Sequence, residues 1–214
     1  MKNIYVRNVI RLLLQQPQLL NDPGIRALMS VNLQRGDLVI DCGANVGKTV
    51  NLVAQRGVEV HAFEPNRHAF EILNKKFKYR KEVHCHHKAV SDQDGWINLF
   101  YHINADDDEV KFSTGSSVLV DKPNVTRDKF EEVESIDLSK FINNLRRPVK
   151  ILKIDIEGAE IQVLEKMIKD QTLHWVENLF VEFHDRKMPH LNQASMRLRH
   201  ELGRIESLNI VNWR

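Results

Sequence analysis

The sequence predicts an α/β fold built on a doubly wound, mostly parallel sheet. Two observations predict it. Short apolar runs alternate with helical patterns along the chain, the order that gives parallel strands covered on both faces. The first of these runs ends in a glycine turn, VIDCGANVGKT at residues 39–49, that opens a helix. In sheets of this kind ligands sit beyond the carboxyl ends of the strands.

Composition narrows the class. The chain has 214 residues, enough for one domain with a proper core. We expect residues 1–35 to form a helical segment packed on a ligand-binding domain at 36–214. Apolar content of 42% and charged content of 28% describe an ordinary soluble globular chain. A net charge of +2 is too small to argue for nucleic acid or an anionic membrane. Two cysteines, Cys42 and Cys85, cannot build a disulfide framework and fit a reducing, cytoplasmic setting. No stretch approaches the roughly 20 apolar residues of a membrane span. Residues 4–14 are apolar but cut by Arg7 and Arg11, which reads as an amphipathic helix rather than a secretory signal.

The elements follow in order. Leu38 to Cys42 is a compact apolar strand. A helical pattern covers 46–55 and Gly57 ends it. Residues 58–63 read as a strand. Pro65 and Asn66 open a helix to about Tyr79, with Phe70, Leu73 and Phe77 on one face. Residues 83–90 read as a third strand. Asp92 to Gly95 is turn chemistry that makes 96–101 a hairpin partner. The stretch 104–124 is the least regular, with acids at 106–109 and serines at 113, 116 and 117. A loop this long in a small domain is a functional loop or a surface insertion. Residues 130–135 read as a strand and 137–145 as a helix capped by Ser135 or Asp137. Then come an apolar strand at 149–156, a helix at 159–169, a strand at 176–184, a helix at 193–207 and a short strand at 209–213. This register puts Asp41, Glu64, Ser91, Asp155 and His184 at strand ends.

The turn reads three ways. A phosphate loop needs four residues between its glycines, and Gly43 and Gly47 enclose three. A dinucleotide turn needs a second glycine where Asn45 stands, and Asp41 would bring negative charge to the phosphates. The third ligand is S-adenosylmethionine (SAM), which carries no phosphate. Asp41 can accept from its ammonium, and Glu64 suits its ribose hydroxyls. Backbone N–H groups at the helix start would remain for its carboxylate. Lys48 and Thr49 are then only the start of a helix.

Four stretches together resemble the FkbM-type SAM-dependent methyltransferases. They are VIDCGANVG at 39–47, FEPN at 63–66, KAVSD at 88–92 and LKIDIEGAE at 152–160. The resemblance implies a class I methyltransferase (Rossmann-like) fold and methylation of a hydroxyl on a sugar or natural product. It implies SAM contacts from Asp41, Gly43, Ala44, Asn45, Gly47, Glu64, Pro65, Asn66, Ala89, Val90, Ser91 and Asp155. Folds of this class end in a hairpin of two strands, and here only residues 209–214 follow the last helix, so the hairpin reads as shortened.

Methyl transfer needs an aligned acceptor and a base for its proton. Lys153, Asp155 and Glu157 share one parity if their strand stays regular, as a salt-bridge network or as catalytic groups. Glu182 and His184 also share a side, and His184 is the first candidate for the base, Glu157 the second. Asp155, Glu157, Glu182 and His184 could instead gather a divalent cation, but no metal is assigned. His84, Cys85, His86 and His87 alternate in direction and lack a matching second half, which argues against zinc. Competing readings are a non-catalytic SAM-binding module of the same fold and a nucleotide hydrolase.

Overall fold

The computed structural model describes residues 21–104, 113, 116–119, 124–185 and 188–213. The amphipathic segment at 4–14 and the acids at 106–109 lie outside them. The order is α1 (Pro23–Ser30), β1 (Leu38–Cys42), α2 (Lys48–Val53), β2 (Glu59–Phe63), α3 (Arg67–Phe77), β3 (Val83–His86), β4 (Ala89–Ser91), β5 (Gly95–His102) and β6 (Val125–Asp137). It continues with α4 (Leu138–Leu145), β7 (Ile151–Ile154), α5 (Glu160–Lys169), β8 (Asn178–Val181), α6 (Asn192–Leu202) and β9 (Asn209–Asn212).

The main sheet has six strands in the order β3-β2-β1-β7-β8-β9, and every pairing is parallel. Its central strands β1, β7 and β8 are mostly apolar because both their faces are covered. Leu38, Ile40 and Cys42 pack with Ile142, Leu164 and Met167. Val39 faces the other way, with Val50, Leu73 and Phe77. Leu28 of α1 and Trp213 complete this second layer. The order reverses at β1, so β1 and β7 diverge in their connections and leave a crevice at their carboxyl ends.

A second sheet, β4-β6-β5, rises beside this edge. The expected strand at 83–90 is therefore broken in two: β3 pairs with β2, and β4 leaves to pair in parallel with β6. The expected partner at 96–101 does form a hairpin strand, but its antiparallel mate is β6, which runs from Val125 rather than Phe130. Several ends are shorter than expected. β7 stops at Ile154, and Glu157 and Gly158 beyond it take positive φ of 58° and 119°. β8 stops at Val181 and α6 at Leu202. β9 pairs in parallel with β8, and among the described residues no antiparallel strand joins the main sheet.

Candidate active site

A cavity of about 430 Å³ opens at the carboxyl ends of β1, β2, β7 and β8. The turn after β1 forms one wall. It alternates in handedness: Gly43, Asn45 and Gly47 have φ of 78°, 49° and 79°. Glycine takes this region freely, and asparagine tolerates it better than most residues. A side chain on Gly43 would overlap the Asp155 carbonyl oxygen, and one on Gly47 would lie 2.6 Å from the Phe77 ring. Gly47 is thus a packing glycine and is not on the cavity wall, whereas Gly43, Ala44 and Asn45 are.

The N–H groups of this turn are used internally. Gly43 and Ala44 donate to the Phe63 carbonyl, Gly47 to the Ala44 carbonyl, and Asn45 to Glu64 Oε2 at 2.7 Å. These four turn N–H groups are therefore not offered to a ligand, which argues against a phosphate cradle. Lys48 and Thr49 open α2 as expected, yet both line the cavity.

Glu64 follows β2 and reaches the wall beside Pro65. Its Oε1 accepts from Asn66 N–H at 2.9 Å, opposite the Asn45 contact on Oε2. Each oxygen retains acceptor capacity for a ligand hydroxyl. Burial pushes its pKa up to about 7, against the two backbone N–H bonds and the Lys153 charge, which favour the anion. Asn66 is not on the wall. Its Oδ1 caps α3 by accepting from His68 and Ala69 N–H.

Asp41 and Lys153 are register partners on β1 and β7. Lys153 is 3% exposed, and its Nζ lies 3.1 Å from Asp41 Oδ1 and 3.4 Å from Asp155 Oδ2. Asp41 is fully buried and absent from the cavity lining. The expected contact between Asp41 and a ligand ammonium is thereby corrected: the strand parity that buries its side chain turns it to Lys153. Burial raises the Asp41 pKa against the pull of Lys153. Lys153 is held charged: burial opposes its charge, but Asp41 and Asp155 outweigh it and raise the pKa.

The ends of β7 and β8 and the start of α5 bring four acids to one histidine. His184 Nδ1 lies 2.9 Å from Glu160 Oε1, which also accepts from Ile156 and Gly158 N–H. His184 Nε2 lies 3.3 Å from Glu157 Oε2, 3.7 Å from Glu182 Oε1 and 4.0 Å from Asp155 Oδ1. Glu157 arrives there through its left-handed backbone, not through regular strand parity. Asp155, Glu157 and Glu182 line the cavity, while His184 sits behind them at 3% exposure. Burial lowers its pKa, but the Glu160 hydrogen bond and the carboxylates of Glu160, Glu157 and Glu182 raise it above the usual value overall. His184 therefore stands behind the wall acids, with Nδ1 engaged by Glu160 and Nε2 turned toward Glu157.

Ala89 and Val90 are on the wall as expected. Ser91 is not: its Oγ bonds Asp92 Oδ1, and it borders a separate depression with Asn98 and Gln162. The serines of the irregular stretch do reach the cavity. Ser113 Oγ accepts from Asn45 Nδ2, and Ser117 Oγ donates to the Glu157 carbonyl. Ser116 and Trp213 line it too, and their Oγ and Nε1 are buried without a hydrogen-bond partner among the described residues. A bound ligand can satisfy such atoms. Trp213, Asp22, Ile25 and Leu99 had no sequence signal, because only tertiary packing brings them to the wall.

A parallel sheet reversing at β1, with an acid-lined crevice at its strand ends, is a Rossmann-like α/β architecture. The chain belongs to the methyltransferase FkbM domain family, whose family model matches residues 41–206. Among curated proteins none is significantly similar in sequence. A solved structure of methyltransferase FkbM from Methylobacillus flagellatus KT is similar at 15% identity and a TM-score of 0.49, over 79% of this chain and 39% of that one. The chain thus spans about two fifths of that protein's length. An rRNA methylase from Streptococcus thermophilus is similar at 10% identity and a TM-score of 0.43, over 79% of this chain and 74% of that one. Among the described residues no helix is long and apolar enough to cross a membrane.

Proposed function

We propose that the protein is a SAM-dependent methyltransferase acting on a hydroxyl of a sugar or natural-product acceptor. The observation that carries this reading is Glu64, fixed by two backbone N–H groups at the end of β2 with its carboxylate on the cavity wall. A carboxylate so held suits two vicinal ribose hydroxyls. Gly43, Ala44 and Asn45 would line the ribose side, with Pro65, Ala89 and Val90 against the adenine. Lys153 and Asp155 would face the methionine end, where opposite charges meet its carboxylate and ammonium.

SAM supplies an electrophilic methyl on sulfur. The protein's task is to align an acceptor and take its proton. Glu157 and Glu182 are the wall carboxylates that can do so, with His184 and Glu160 holding Glu157 in place. Residues 36–214 are read as the cofactor-binding unit with the preceding helix packed on it, supported by Ile25 and Leu28 in the second core layer. A cytoplasmic setting is supported by two free cysteines.

Calorimetry with SAM or S-adenosylhomocysteine tests the proposal. Binding by the folded chain is expected, and no binding would sink it. Binding without methyl transfer to any of a broad hydroxyl panel would favour a non-catalytic module.

A further inference from the structure

His184 is built as a ligand-bearing imidazole is built. Its Nδ1 is fixed at 2.9 Å from Glu160 Oε1, and Glu160 is itself fixed by the N–H groups of Ile156 and Gly158. Such an outer carboxylate sets the ring's tautomer and aims the other nitrogen. Here Nε2, on a side chain that is 2% exposed, is aimed at Glu157 and Asp155. One ligand atom from each of Asp155, Glu157 and His184 lies within 4.8 Å of the other two. Ligands about 2.1 Å from one ion stand roughly 3.0 to 4.2 Å apart. The separations of 3.3 Å and 4.0 Å from Nε2 fall in that range; Glu182 Oε1, at 3.7 Å, does too, but among the described residues only Asp155 and Glu157 form with His184 a set within 4.8 Å of one another. The trio also fronts the cavity rather than the core, through Asp155 and Glu157.

We propose that Asp155, Glu157 and His184 bind a divalent first-row cation of the Mn²⁺ type, which seats the acceptor through its reacting hydroxyl and a neighbouring oxygen. This rests on the methyl-transfer reading above. One imidazole with two carboxylates suits Mn²⁺, Fe²⁺ or Zn²⁺ better than Mg²⁺ or Ca²⁺. Three protein ligands leave positions for two acceptor oxygens, so the acceptor class is a vicinal diol or a hydroxyl beside a carbonyl. The cation makes the bound hydroxyl more acidic. Its proton passes to Glu182, the wall carboxylate outside the trio. The oxygen's electron pair forms the bond to the methyl carbon as the carbon–sulfur bond breaks. That bonding pair stays on sulfur and gives neutral S-adenosylhomocysteine.

The full chain, stripped with EDTA, is titrated with Mn²⁺ by calorimetry and by electron paramagnetic resonance, and separately with S-adenosylhomocysteine. We expect one Mn²⁺ per chain with nitrogen hyperfine coupling from an imidazole. His184→Gln removes that coupling, and it and Glu157→Gln each weaken Mn²⁺ at least about tenfold while S-adenosylhomocysteine still binds. Glu182→Gln keeps Mn²⁺ affinity and loses methyl transfer. His61→Ala, in the separate Glu59–His61–His84 cluster, leaves the Mn²⁺ signal unchanged. The proposal is overturned if wild type binds S-adenosylhomocysteine but no Mn²⁺, if both ligand variants keep wild-type Mn²⁺ affinity, or if His61→Ala abolishes the signal. Mn²⁺ binding with the nitrogen coupling but without S-adenosylhomocysteine binding would uphold the cation site and overturn the methyl-transfer reading.

Discussion

Gly43 lets two strand ends meet. Its positive φ and its approach to the Asp155 carbonyl leave no room for a methyl group. Gly43→Ala is expected to cost about 3 kcal/mol or more in urea unfolding, from left-handed strain plus overpacking. Lys153 answers to a different force. Removing it strands the Asp41 carboxylate at full burial. Lys153→Met should cost roughly 3–5 kcal/mol, and adding Asp41→Asn should recover much of it. If the double variant is no more stable than the single, the pair is not what Lys153 stabilises. For Glu64, Glu64→Ala should weaken S-adenosylhomocysteine roughly a hundredfold by removing two hydrogen bonds to an ion. The pH dependence has a definite sign. Its folded pKa, raised from 4.5 to about 7, keeps much of it protonated in the ligand-free protein below neutrality. Ribose hydroxyls donate to the anion, so binding drives the proton off and affinity rises as pH climbs to about 7. Calorimetry at pH 6.5 in buffers of different ionisation enthalpy should register proton release; none would remove the ribose assignment.

At the scale of elements, the chain's two kinds of strand were not equally legible. β1 and β7 read clearly because burial on both faces makes them apolar except at Asp41 and Lys153, which pair with each other. β6 did not, since Arg127 through Glu132 carry mostly polar side chains to solvent and hide the strand's first half. The split between β3 and β4 was invisible for another reason: both halves are compatible with one strand, and only the partner sheets differ. Helix starts were better marked. Asn66 and Asp137 both cap as their residue types suggest. Reading Asn66 as a ligand contact confused a cap with a site, because both occur where a strand gives way to a helix. Asn66→Ala should therefore cost about 1 kcal/mol in thermal unfolding and leave the contacts to S-adenosylhomocysteine intact. A loss of binding larger than the loss of stability would restore the ligand role.

Across the whole molecule, the parallel sheet and the acids at its strand ends were legible from periodicity and residue type. What they touch was not. Asp41 and Asp155 differ little as sequence features and both pair with Lys153, yet Asp41 is buried behind it while Asp155 lies on the wall. If the cavity is the cofactor site, occupancy should stabilise the entire fold. S-adenosylhomocysteine at a hundred times its dissociation constant should add about 2.7 kcal/mol, read as a rise in melting temperature that ATP does not reproduce. Gly24 lies so close to Trp213 that a side chain there would sit 2.5 Å from the Trp213 carbonyl oxygen. Residues near opposite ends of the described chain thus share the cavity wall. During synthesis the glycine turn and Glu64 emerge early, but the enclosure they belong to waits for β9 to dock. A nascent chain would hold half a binding site with Leu28 and Phe180 still unsheltered by Trp213. Competence to bind is then acquired only once β9 docks, in a single late step rather than strand by strand.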